Sequence, residues 1–347
     1  MVSGERCGYN IIEKDCNGDV LCTWTYPSST NQQRELALRK CRFEGPDTIF
    51  LYGRCGTLWY YIFTNESPDI AKLPKVRQFA ICVWSSEFNP EMYEALSKVM
   101  ANKYNRTGNN VLVLELYLAA TTIGEIQDSD FSFSSKDFPQ SMISQGSTNI
   151  KEIISNFGLE TILIYTAVLL KKRIIVYHHD MATLLKTVRS LPALVSHRGL
   201  YSNIFPCVDL QKDEIFSLKS CANFVAGCRD ANVASSDLFD VFVHLPATEI
   251  SIAPSARESM SMTRAHKEIA FYLVQLSQNE NLSERQVVTA ISTKTNDLLE
   301  QLRTLATTKT SDGKSMVTLD SLRAKNLPHG MENFLFNLAI AEDIMMV

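Results

Sequence analysis

Hydrophobic positions change their rhythm along this chain, and the change divides it in two. From Leu159 to Leu170 only Glu160 is charged, so FGLETILIYTAVLLKK predicts a helix without a wet face, one that must be covered on every side. Lys171, Lys172 and Arg173 end it where cations complement the negative end of a helix dipole, and Ile174 to Tyr177 continue as a β-branched, buried strand. The alternation persists through a helix over Met181 to Arg189, the breaker pair Leu191-Pro192 and a strand over Ile204 to Leu210. A short helix and strands over Asn223 to Cys228 and Leu238 to Leu245 follow. Such alternation predicts a mostly parallel sheet with helical cover.

The amino-terminal part runs differently. Tyr9 to Lys14 and Val20 to Tyr26 read as partners of a hairpin turning at Asn17-Gly18, and Pro27 ends the second. Thr30 caps a helix over Gln33 to Arg42, and three strands follow over Thr48 to Tyr52, Gly56 to Thr64 and Arg77 to Ser85. Asn89-Pro90 is an N-cap and first-turn pair, with Tyr93, Leu96, Met100 and Tyr104 at helical spacing behind it. Val111 to Thr122 reads as a second helix, although periodicity alone also fits a strand. The expected order is β-β-α-β-β-β-α-α.

Periodicity disappears between Glu125 and Ser147, where serine, aspartate and glutamine surround Phe131, Phe133 and Phe138. This places a Ser-rich solvated linker at 128–148, between a first lobe at 1–127 and a second at 149–347. The phenylalanines offer a way to pin it. Beyond Leu245, a capping box at Ser255 and Glu258 predicts a helix with Met262, Ala265, Ile269, Tyr272 and Leu276 on one face. Ser283 with Gln286 opens another, carrying Val287, Ile291, Leu298, Leu302 and Leu305, and a last helix is expected around Glu332 to Ile344.

Composition narrows the classes. Hydrophobic residues make up 45% and charged residues 21% of 347, and a net charge of −4 gives no pull toward nucleic acid. No leader and no membrane span are expected from the apolar runs, and nine scattered cysteines without a C-x-x-C suit a reducing, cytoplasmic compartment. Asp312-Gly313-Lys314-Ser315 resembles the end of a phosphate loop, but threonine stands at 308 where glycine is needed, so a turn is expected. No nucleophile, metal site or cofactor motif emerges. His178-His179 ends the central strand, where open α/β sheets place ligands, and Lys171 to Arg173 are read as helix-terminal cations with binding of phosphates or an anionic membrane as the competing role.

Trp24 and Tyr26 are the candidate partner-binding residues. On a strand of period two they share a face with Val20 and Cys22, directed either into the core or, with Leu21, Thr23 and Thr25 facing inward instead, toward a partner at an edge strand ending in Pro27.

The arrangement resembles the DENN domain family. IIEKDCNGDVL, FGLETILIYTAVLLKKRIIVYHHDMATLLKTVRSLPALVSH, NFVAGCRD, DLFDVFVHL and ENFLFNLAIAE carry the resemblance. It implies a two-lobed α/β architecture: a longin-like antiparallel sheet with helices, then an α/β lobe with a mostly parallel sheet and trailing helices. It further implies a regulator that binds the nucleotide-free Rab GTPase between its lobes and promotes GDP release, cytoplasmic and peripheral on late endosomes. The alternative it implies is a non-catalytic adaptor bound to coiled-coil subunits of the Commander complex; a GTPase-activating role with an arginine finger stands third. Val195-Ser196-His197 replaces the family's tryptophan-x-histidine, and Asn223 stands where a proline precedes Phe224. The resemblance transfers no catalytic residue.

Overall fold

The computed structural model describes all residues except 1–6, 42, 44–48, 67, 128–130, 140–147, 199–202, 307, 310–314 and 347. Contacts divide the chain into two compact units, Met1–Ile143 with Asp180–Leu185, and Ser144–His179 with Lys186–Val347.

The first unit opens with strands β1 (Gly8–Asp15) and β2 (Val20–Tyr26), paired antiparallel. The Asp15 carboxylate builds their turn by accepting from the N–H groups of Asn17 (2.8 Å) and Asp19 (2.9 Å), while Gly18 takes a left-handed φ of 95°. Helix α1 (Asn31–Lys40) starts at the capping box of Thr30 and Gln33. Strands β3 (Phe50–Cys55), β4 (Leu58–Asn65) and β5 (Val76–Ser85) complete an antiparallel sheet of order β2-β1-β5-β4-β3, which leaves β2 at an edge.

Helix α2 (Pro90–Thr107) begins as expected, the Asn89 side chain accepting from the Met92 N–H with proline in the first turn. It buries Tyr93, Leu96, Met100 and Tyr104. The segment that periodicity left open is helix α3 (Asn110–Thr122), which buries Val113, Leu116, Tyr117 and Ala120 at spacings of three, one and three. Part of the stretch expected as a solvated linker is folded. β6 (Glu125–Gln127) pairs with β7 (Ser132–Ser134), and buried Phe133 stacks on Phe138 at 6.1 Å between ring centroids. The Asn89 side-chain amide donates to the Phe138 carbonyl, tying this segment to the start of α2. Residues 128–130 and 140–147 of that stretch lie outside the described residues.

In the second unit the apolar run is two helices, α4 (Ile150–Phe157) and α5 (Thr161–Leu169), joined by one 3₁₀ turn. By length and composition Ile150–Leu169 could cross a membrane, but most of it is buried inside the unit, as the absence of a wet face requires. α5 yields within three residues to β8 (Arg173–Tyr177), through Lys171 at a φ of 50°. Then come α6 (Met181–Ser190), whose residues up to Leu185 group with the first unit, β9 (Ile204–Val208), α7 (Lys212–Ser220), β10 (Phe224–Cys228), β11 (Val241–His244) and β12 (Glu249–Ile252).

The sheet order is β12-β11-β8-β10-β9, parallel except for β12. β8 therefore sits at its centre, with Ile174, Ile175 and Val176 at most 1% exposed. One core cluster joins Ile175, Phe224, Ala226 and Phe242 to Leu218 and Val233 from the crossovers.

Helix α8 (Arg264–Gln278) corrects the expected box at Ser255 and Glu258. Its N-cap is Thr263, and the residue closing the box is His266, because Pro254 starts only a 3₁₀ turn. Helix α9 (Glu284–Arg303) starts at Ser283 and Gln286 as expected. The short helix α10 (Leu319–Arg323) and α11 (His329–Ala341) follow, with β14 (Ser315–Thr318) between β13 (Thr308–Lys309) and β15 (Met345–Met346) in a small sheet.

Candidate functional site

Trp24 and Tyr26 lie on β2, the edge strand, and both are half-buried. The single face expected for Val20, Cys22, Trp24 and Tyr26 is not formed. The pairing register slips between Ile11 and Ile12, so Ile11 opposes Trp24 and Ile12 opposes Cys22, leaving Thr23 as an extra residue. A bulge of one residue moves everything beyond it to the other side of the sheet. Cys22 thus shares a face with Thr25, whose hydroxyl is 3.3 Å from the Cys22 sulfur, and Trp24 shares one with Tyr26 alone. Leu21 is 59% exposed, which removes the reading in which Leu21 and the threonines face inward.

Tyr26 belongs to a cluster of three tyrosines. Its ring centroid is 6.5 Å from Tyr9 and 6.2 Å from Tyr117, and those two are 5.0 Å apart. Burial pushes the Tyr9 phenol up to about 12, the Trp24 indole acting in the opposite direction, so the group stays protonated at neutral pH. On the other face Asn10, fully buried, accepts from the Trp84 indole (2.8 Å) and donates to the Thr25 hydroxyl (3.0 Å). β2 is therefore held in place by a polar bond on one side and by tilted and edge-on ring contacts on the other. It presents Leu21, Thr23 and parts of Trp24 and Tyr26 at the sheet edge.

In the second unit, His178 and His179 stack on each other at 4.4 Å beyond β8, and the described residues hold no cluster of three metal-ligating groups. The cations at the other end of β8 do more than complement a helix dipole. Arg173 binds Asp240, and Lys171 lies 3.2 Å from Asp343. The carbonyls that end α5 are capped by Arg198, whose guanidinium donates to the oxygens of Val168 (3.1 Å) and Leu169 (2.7 Å) and also pairs with Glu342. His197 lies 3.0 Å from the same carboxylate. Burial pushes Glu342 up, but the hydrogen bond from His197 and the charge of Arg198 bring it down to about 2. Arg198, Asp240 and Glu342 were not among the sequence candidates. Their roles depend on partners 29 to 145 residues away, and no local spacing signals them.

The family model described as stabilization of polarity axis matches residues 147–254, from just before α4 to the end of β12. Relatives match at almost full length. DENN domain-containing protein 10 of Danio rerio is 42% identical over 343 residues, 97% of this chain and 97% of that protein. The Homo sapiens protein of that name is 39% identical over 345 residues, 98% of this chain and 96% of its own, and that of Dictyostelium discoideum is 32% identical over 355 residues, 96% of each.

The chain belongs to the DENN domain-containing protein 10 family.

The two-lobed DENN architecture expected from the resemblance is the one observed, with an antiparallel first sheet and a mostly parallel second one. Both departures from the DENN pattern fall on positions that serve the fold. Val195, where the pattern has tryptophan, is buried at the end of a 3₁₀ turn, and Asn223 accepts a hydrogen bond from the Asn203 side chain at 3.1 Å, while His197, the histidine that the pattern keeps, holds Glu342.

Proposed function

We propose that the protein regulates Rab GTPases in late endosomal trafficking, as an exchange factor that binds the nucleotide-free GTPase in preference to the loaded one. What supports this reading is the DENN domain itself, matched over nearly the whole chain, together with the family's general association with Rab GTPases. Exchange requires no covalent step. A ligand shifts an equilibrium only by its differential affinity for the two states, and moving it from 1:99 to 99:1 takes about 5.5 kcal/mol. The protein then works from the cytoplasm as a peripheral component of the endosomal membrane. Release of a fluorescent GDP analogue from a panel of purified Rabs tests the reading. Acceleration of at least one Rab supports it, and unchanged release across the panel at micromolar protein rejects it.

A second reading rests on β2. Two half-buried aromatics at a sheet edge suit an adaptor that binds the coiled-coil subunits of the Commander complex, because aromatic anchors dominate the energetics of protein interfaces. Trp24→Asp is expected to abolish co-purification with those subunits while leaving the melting temperature unchanged, whereas Tyr26→Asp, which also breaks the cluster with Tyr9 and Tyr117, lowers both. Unimpaired co-purification by both folded variants rejects the adaptor surface.

A further inference from the structure

Helix α3 is apolar on its outward side as well as its inward one. Inward, Val113, Leu116, Tyr117 and Ala120 are buried, and Tyr117 meets the rings of Tyr9 and Tyr26, so the helix lies on the first sheet beside β1 and β2. A surface helix of this kind should turn a polar face to water. Instead α3 exposes Val111 (55%) and Leu118 (36%), with half-buried Leu112, Leu114 and Ala119 beside them and Ile123, 74% exposed, just past its end. The threonines of the last turn add little polarity, because the Thr121 hydroxyl donates to the Tyr117 carbonyl (2.8 Å) and that of Thr122 to the Leu118 carbonyl (2.6 Å). Glu115, the one charged residue of the helix, is exposed and forms no ion pair among the described residues.

The spacing of these residues fits a helix. Val111, Leu114, Leu118 and Thr121 follow one another at intervals of three, four and three, the a and d seam of a coiled coil, and Glu115 falls at the flanking e position. From Val111 to Thr122 the face runs about 16 Å, or three turns. The charge narrows which helix can cover it. Packing apolar surface against Glu115 desolvates its carboxylate, and a cation placed opposite offsets that cost. A second copy of α3 brings none, because the helix contains no lysine, arginine or histidine. Helices that lie on bilayers carry lysine and arginine on their polar face, and a lone carboxylate stands in that place here.

We propose that the outward face of α3 is a docking surface for one amphipathic helix of a partner protein, whose apolar residues pack on Val111, Leu114, Leu118 and Thr121 and whose lysine or arginine meets Glu115. The face is separate from the edge of β2, and it requires neither the exchange nor the adaptor reading.

Two fluorescent peptides of three heptads, each stapled as a monomeric helix with leucine at a and d, test this by anisotropy against the full chain. One carries lysine at its e and g positions and the other glutamate. The lysine peptide is expected to bind at least tenfold more tightly than the glutamate peptide, and Glu115→Lys to reverse the preference. Val111→Asp places a negative charge in the first turn, where the helix dipole favours it, and should weaken binding of the lysine peptide at least tenfold with the melting temperature unchanged. Leu118→Gln serves the same purpose if Val111→Asp lowers that temperature. Equal affinity for the two peptides, no binding of either at micromolar protein, or binding that survives both substitutions overturns the proposal. So does a concentration-dependent dimer that Val111→Asp dissolves, which gives the face to a second copy, or flotation with phosphatidylserine vesicles that it abolishes, which gives the face to a bilayer.

Discussion

Arg173 and Asp240 are joined by three hydrogen bonds across the centre of the second sheet. The backbone N–H of Arg173 (2.9 Å) and its Nε (3.3 Å) donate to one carboxylate oxygen of Asp240, and its Nη2 (2.8 Å) to the other. The Asp240 N–H returns a bond to the Arg173 carbonyl at 2.8 Å. β8 and β11 are parallel, so no tight turn sets their register, and this pair fixes where both begin.

Asp240→Ala removes the acceptor and leaves a partly buried guanidinium. The expected loss is about 2–3 kcal/mol, from hydrogen bonds to a charged group and the uncompensated cation. Urea unfolding monitored by circular dichroism measures it, with the midpoint falling and the slope unchanged. A loss below about 0.5 kcal/mol, the range of an exposed ion pair, contradicts the role given to this pair.

Two side chains give the acid limb of stability separate windows. His266 is buried against Phe334, its ring centroid 4.4 Å away, and its Nδ1 accepts from the Thr263 N–H. Burial lowers its pKa to about 4. The unfolded chain therefore binds this proton first, and stability falls as pH drops from about 6.5 to about 4. Glu342, brought down to about 2, contributes stability that is complete above about 4.3 and lost as pH falls toward 2. His266→Gln should flatten the upper window alone, and Glu342→Gln the lower one, in denaturation midpoints measured from pH 7 to pH 2.

Asn10 is the hinge of polar contacts beneath β2. Asn10→Leu leaves the buried Trp84 indole N–H without its acceptor, at an expected cost of about 1–3 kcal/mol. The indole proton resonance of Trp84 should move upfield in a proton–nitrogen correlation spectrum, while that of Trp59 stays in place.

The start of α9 was readable in the sequence, and its energetics follow. Ser283 and Gln286 satisfy each other's backbone N–H groups at 3.3 and 2.8 Å. Ser283→Ala should cost about 1 kcal/mol, and the double substitution Ser283→Ala with Gln286→Ala less than the sum of the two singles, in a double-mutant cycle on thermal midpoints.

What could be read in advance were the features written locally. Asn89-Pro90, the Thr30 and Ser283 caps, the apolar run ending at Lys171 and the β-branched Ile174–Tyr177 stretch all carry their instruction within a few residues. The second sheet's parallel character followed from alternation. The bulge at Thr23 did not, because an inserted residue leaves the alternating pattern of VLCTWTY intact and shows only against its partner strand. The start of α8 was misplaced since Ser255 and Glu258 match the capping pattern, whereas histidine filling that role at position 266 does not. Candidate chemistry was legible least. Arg198, Asp240 and Glu342 act through partners far away in sequence, and Lys172 stands apart from its two basic neighbours only once their carboxylates are placed.

The exchange reading is tested most directly by affinity in the two nucleotide states. Binding of the purified chain to each member of a Rab panel should be measured with the GTPase nucleotide-free and GDP-loaded, by titration under identical salt. The account predicts at least one Rab bound a hundredfold or more tightly when nucleotide-free, about 2.7 kcal/mol of differential affinity. Equal affinity for both states of every Rab would contradict it.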